Sequence, residues 1–74
     1  MVLIARSARR HDISDEAVHH ALRLPISFER RDDGVTLLIG ADWGGNLIEV
    51  GYVETDGDDL VVVHAMPARA SFVR

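Results

Sequence analysis

The stretch Leu60-Val61-Val62-Val63-His64-Ala65-Met66-Pro67-Ala68-Arg69 decides how this chain folds and where its chemistry lies. It opens as the most apolar strand candidate in the sequence. A run of aliphatic, mostly β-branched residues suits a central strand buried on both faces. Pro67 has no backbone N–H and cannot extend a central ladder, so the strand is expected to stop near Met66. His64 and Arg69 then stand at the strand's C-terminal end and just beyond it. Strict alternation puts Val61, Val63 and Ala65 on one face and Leu60, Val62, His64 and Met66 on the other.

Upstream of this strand the chain reads as a series of hairpins. Residues 26–31 alternate, with Ile26 and Phe28 on one face, and Asp32-Asp33-Gly34 is a tight-turn signal. Residues 35–41 return as a strand, Asp42 to Asn46 form a second turn, and residues 47–53 form a third strand. In that third strand Ile48, Val50 and Tyr52 make the better core face, which leaves Glu49 on the opposite face, exposed beside the arginines. Glu54 to Asp59 is an acidic turn into the last strand. Connections this short join antiparallel neighbours, because parallel ones need a longer crossover.

The clearest helix precedes the hairpins. Ser14 is an N-cap, and Asp15 and Glu16 sit in the first turn against the positive end of the dipole. Ile13 and Val18 occupy the positions of a hydrophobic staple. Ile13, Ala17, Val18, Ala21 and Leu22 share one stripe, and Pro25 stops the helix near Leu24. Met1 to Ala5 reads equally as a short strand or the start of a helix. Arg6, Arg9 and Arg10 would share one side of a helix, or belong to a solvated basic arm. The fold class expected is α+β: one main N-terminal helix packed on a four-stranded antiparallel meander, a single domain over residues 1–74. The helix covers one sheet face, and the other is left open for binding.

Composition narrows the function classes. At 74 residues the core is small, since a chain of this size buries only about 60% of its unfolded surface. A bound partner is one source of added stability. There is no cysteine, so disulfides and thiolate metal sites are excluded. The adjacent His19 and His20 point about 100° apart on a helix and do not form a ligand pair, so neither metal nor cofactor is expected. The Gly44-Gly45 pair is turn geometry, since no helix follows to aim N–H groups at an anion. No apolar run approaches a membrane span, and the first five residues are too short for a signal-peptide core, so a cytoplasmic location and no membrane partner are expected.

A net charge of −4 argues against generic nucleic-acid binding. Its layout is uneven. All eight cations are arginine, which a coding bias explains by itself and which also suits two-pronged phosphate binding. Residues 1–11 and 60–74 carry arginines and no acid, while most acids fall in turns.

A lone histidine in an apolar strand is ordinarily a packing residue. His64 has Arg69 five residues on, and Arg30, Arg31 or Glu49 can project beside it from neighbouring strands. A histidine exchanges protons near neutral pH, and an arginine stabilises extra charge on phosphorus. RNA supplies its own nucleophile, the 2′-hydroxyl, so such a pair suffices without metal.

The string Arg10-His11-Asp12-Ile13-Ser14-Asp15-Glu16-Ala17 resembles the basic-His-Gly-(Val/Ile)-Ser-x-Glu-Glu-Ala opening of BrnT-like toxins, small RelE-fold ribonucleases of bacterial toxin–antitoxin pairs. The strand ending His64-Ala65-Met66-Pro67-Ala68-Arg69 is similar to that family's last strand. The order of helix and strands between them also matches, so the likeness spans most of residues 9–69. Asp12 stands where the family has glycine, and the family's N-terminal Trp-Asp element and long C-terminal helix have no counterpart in residues 1–74. The resemblance implies a RelE/BrnT-like fold and a metal-independent endoribonuclease. RNA would be its substrate, and an antitoxin protein, or a second copy of the chain, its partner. His64 and Arg69 are the catalytic candidates; Arg10, His11, Arg30 and Arg31 are the binding candidates. The competing reading is a non-catalytic interaction module of the same fold, favoured by the acidic net charge and the missing C-terminal helix.

Overall fold

The computed structural model describes residues 1–69. The elements in chain order are β1 (Val2–Ile4), a 3₁₀ turn (Arg6–Arg9), α1 (Asp15–Arg23), β2 (Pro25–Arg30), β3 (Thr36–Ala41), β4 (Leu47–Glu54) and β5 (Leu60–Pro67). The class is α+β. Helix α1 begins as its sequence dictates, with the Ser14 hydroxyl accepting from the Ala17 N–H at 3.1 Å. Two Asx turns shape the hairpins: Asp33 accepts from the Val35 N–H, and Asp42 from the Gly44 and Asn46 N–H groups.

The expected four-stranded meander is corrected in count and order. The sheet has five strands in the order β1-β5-β4-β3-β2. Strands β2 to β5 do form an antiparallel meander, and β1 adds to its far edge, parallel to β5, with Val2 opposite Leu60 and Ile4 opposite Val62. The physical reason is separation along the chain. Short connections force antiparallel neighbours, but β1 and β5 are joined only through residues 5–59, so that constraint does not act on this pair.

Strand β5 departs from strict alternation. Gly51 pairs with His64 and Tyr52 with Val62, so Val63 is an extra residue, a β-bulge. The bulge reverses the side-chain parity. Val62 and Ala65, expected on opposite faces, both enter the core under α1 at 0% and 1% exposure, while His64 turns to the other face with Gly51. The Ser7 hydroxyl, on the 3₁₀ turn, donates to the Val63 carbonyl at 2.8 Å. That contact gives the carbonyl of the bulged residue a hydrogen bond.

The core under α1 joins Ala8, Val18, Ala21, Leu38, Ile48, Val50, Tyr52, Val62 and Ala65, with Ile13 and Leu22 partly buried at its margin. Fully burying a Val or Leu contributes about 1.5–3 kcal/mol. The helix lies close over Gly40, where an added Cβ would stand 2.6 Å from the Ala21 carbonyl oxygen.

Strand β5 also runs one residue further than expected, through Pro67 opposite Ile48. Proline is tolerated there because β1 pairs only with Leu60 to Val62, which makes this end of β5 an edge. At the other edge of the sheet every residue of β2 is exposed. Among the described residues no helix is long and apolar enough to cross a membrane. Arg74, one of the expected basic end residues, lies outside the described residues.

Candidate functional site

The site is built on the sheet face away from α1. In β4, Glu49 shares this face with Gly51; it pairs with Ile39 on one side and Met66 on the other. Glu49 was expected to be exposed; its side chain is instead 0% exposed, the one buried charged group among the described residues. A buried carboxylate is costly unless it is paired and hydrogen-bonded. Glu49 meets both conditions. Oε2 accepts from His64 Nε2 at 2.7 Å and from Arg69 Nη2 at 3.1 Å. Oε1 accepts from the Arg69 backbone N–H at 3.2 Å and from its Nε at 3.0 Å. Burial pushes the Glu49 carboxyl up, but the hydrogen bonds from Arg69 and His64 outweigh it and hold the group below the ordinary carboxylate range.

This arrangement fixes the histidine's chemistry. An ionised carboxylate only accepts, so His64 Nε2 carries the hydrogen facing Glu49, and Nδ1 keeps the lone pair when the ring is neutral. The His64 side chain is 33% exposed, so a ring anchored to Glu49 through Nε2 still reaches the surface. Gly51 leaves the room it needs. A Cβ at Gly51 would lie 3.1 Å from the His64 Cβ, 3.2 Å from Leu37 Cδ2 and 3.3 Å from Val35 Cγ1.

Arg69 reaches the site because the chain turns after Pro67, with the Ala68 N–H donating to the Leu47 carbonyl at 3.0 Å. Its guanidinium is half-exposed, and its fork spans both oxygens of Glu49. His64 and Arg69 therefore meet through a shared carboxylate, that of Glu49, which the sequence offers as a neighbour of His64 but not as a site residue. The available signal was a single acid inside the apolar run Leu47-Ile48-Glu49-Val50.

His11 also arrives here. Its ring stands edge-on to that of His64, with centroids 6.4 Å apart and planes at 74°. The Ala5 N–H donates to the Val62 carbonyl at 2.8 Å, Ser7 is fixed to Val63 and Ala8 is buried, so the segment follows the β5 edge as far as His64. Arg10 is exposed beside His11 in the chain. Arg9 is drawn instead to Asp15, at 2.7 Å; this hydrogen-bonded pair raises the Arg9 guanidinium and lowers the Asp15 carboxyl.

Arg30 and Arg31 do not join the site. They line a shallow hollow at the β2–β3 hairpin with Glu54, and Arg31 points back to Asp33 at 3.9 Å. Arg30 pairs with Thr36 in the row of Tyr52, on the face opposite His64. Arg31 is three strand spacings away, roughly 14 Å. His20 packs on Trp43 and hydrogen-bonds the Ala41 carbonyl through Nδ1, far from any ligand set. No group of three metal-ligating side chains occurs among the described residues. Comparison of the chain with protein families, curated proteins and solved structures finds no match.

Proposed function

We propose that this protein is a toxin-like endoribonuclease of RelE/BrnT-like kind, cutting RNA without a metal or cofactor and neutralised by a partner antitoxin. The observation that carries the reading is the Glu49–His64–Arg69 constellation: a one-third exposed imidazole held by a buried, ionised carboxylate that an arginine fork clamps. In this reading His64 Nδ1 takes the proton of a ribose 2′-hydroxyl as that oxygen attacks phosphorus. The ion pair keeps the Glu49 charge in place as the imidazolium forms, and the Arg69 guanidinium adds positive charge beside the phosphate. A second support is Asp12, whose φ of 58° lies in the left-handed region. That conformation favours the glycine which the resemblance expects at this position.

The deciding experiment is cleavage of RNA by the purified chain in the presence of a chelator, with growth arrest on expression as its cellular counterpart. Activity that survives chelation and falls about 10²–10⁴-fold in His64→Ala supports the reading. Cleavage that persists unchanged in His64→Ala overturns it.

One feature favours the non-catalytic interaction module as a second reading, and under the first it is the place for the antitoxin or a second copy. Ile26 and Phe28 on β2, with Leu24 just before it, are 62%, 60% and 59% exposed, and among the described residues β2 is an edge strand with no partner on its outer side. Such an edge is a template for strand addition by a partner.

A further inference from the structure

We propose that His11 is the second acid–base group of this site, donating the proton that the leaving oxygen of the RNA chain requires. This rests on the reading of the protein as a ribonuclease and adds a residue and a step to it. Cleavage by the 2′-hydroxyl needs two proton transfers. The bond from the 2′ oxygen to phosphorus forms as His64 Nδ1 takes the hydroxyl proton. The bond from phosphorus to the 5′ oxygen breaks, and that oxygen must gain a proton to leave as a hydroxyl. The products are a 2′,3′-cyclic phosphate and a 5′-hydroxyl end. Glu49 cannot serve as the donor. It is ionised, fully buried and saturated by His64 and Arg69. Arginine does not give up its proton in proteins.

His11 has the right chemistry and place. It is exposed, and its ring lies 6.4 Å from that of His64, a separation that lets the two histidines reach the entering and the leaving oxygen, which stand on opposite sides of phosphorus in an in-line displacement. It belongs to a different element from His64, and the two meet only because the Ser7 contact and the buried Ala8 hold the 3₁₀ turn against β5. After His11 the left-handed Asp12 reverses the backbone into the capped start of α1, so the histidine stands at a fixed corner. The charged groups around the pair are Glu49 and Arg69 behind His64 and, next to His11 in the chain, Arg10 and Asp12; Arg9 is engaged by Asp15. The remaining histidines, His19 and His20, sit on α1 and serve as internal controls.

The test uses two substrates and one spectrum. With an RNA dinucleotide, wild-type cleavage should show a bell-shaped pH dependence, and His11→Ala should lose about 10²–10⁴-fold together with the alkaline limb. With the nitrophenyl ester of a nucleoside 3′-phosphate, whose leaving group needs no proton, His11→Ala should cleave within a few-fold of wild type while His64→Ala stays inactive. Equal loss in His11→Ala on both substrates overturns the assignment. In parallel, inorganic phosphate titrated into the full chain should shift the imidazole nitrogen resonances of His11 and His64 and leave those of His19 and His20. A phosphate response at His64 alone overturns the pairing. If wild type cleaves neither substrate, the ribonuclease reading fails, and the phosphate titration still decides whether the two histidines share a site.

Discussion

His64 lies directly across the β4–β5 ladder from Gly51, and its Cβ fills the space a side chain there would take. The bulge at Val63 turns the histidine to this face, and the missing side chain at Gly51 leaves room for its Cβ. Gly51→Ala adds a methyl 3.1–3.3 Å from three side-chain atoms. Overpacking of this kind costs about 1–3 kcal/mol. The expected outcome is a lower urea midpoint together with loss of the His64–Glu49 contact, read from the imidazole nitrogen shifts of His64. A variant that keeps both unchanged would show that the face has slack.

Glu49 ties stability to pH. Its carboxyl is held below its ordinary value of 4.5, so it binds a proton more readily in the unfolded chain. The stability this contributes is present above that value and is lost as pH falls below it toward the folded value. Wild type should therefore weaken on acidification through this window, and Glu49→Gln should be less stable at neutral pH with a shallower acid slope. The residual slope belongs to Asp15 and Asp42, which Arg9 and the Asn46 backbone lower in the same direction. Urea unfolding at a series of pH values separates the two, and an unchanged slope in Glu49→Gln would exclude the assignment.

Arg69→Lys should behave almost like Arg69→Ala. The fork places Nε on one oxygen of Glu49 and Nη2 on the other, and an ammonium cannot span both. Cleavage should drop in both variants, because the Glu49 carboxylate loses the fork that helps hold it in place and ionised beside His64. Full activity in the lysine variant would mean that charge alone matters.

Gly40→Ala should unfold or displace α1. The added methyl would sit 2.6–2.8 Å from backbone and Cβ atoms of Ala21, where no flexible side chain can yield. A loss of at least about 1–3 kcal/mol is expected by urea unfolding. By contrast Ser14→Ala, which removes only the helix cap, should cost about 0.5–2 kcal/mol and leave cleavage intact.

Arg31→Ala should leave kcat unchanged, because Arg31 stands roughly 14 Å from His64 across the sheet. A kcat effect as large as that of His64→Ala would require the hairpin to reach the scissile phosphate, contrary to the register of β2.

What the sequence determined by itself was local. Ser14 and the apolar stripe of α1, the Asp/Gly turns and the four later strands are written in spacings of two to five residues, and each formed within a residue of its expected bounds. The tertiary structure decided the rest. Val61, Val62 and Val63 are chemically alike, so nothing in their order reveals that Val63 is a bulge, and a one-residue slip moves His64 to the other face. The parallel partner of β5 comes from the other end of the chain, through contacts such as that of Ser7 with Val63, 56 residues apart. The same long-range placement brings His11 beside His64 and encloses Glu49 between His64 and Arg69. Burial and ionisation depend on which distant groups close over a residue. That is why an acid legible as a surface charge in its own strand became the buried anchor of the site.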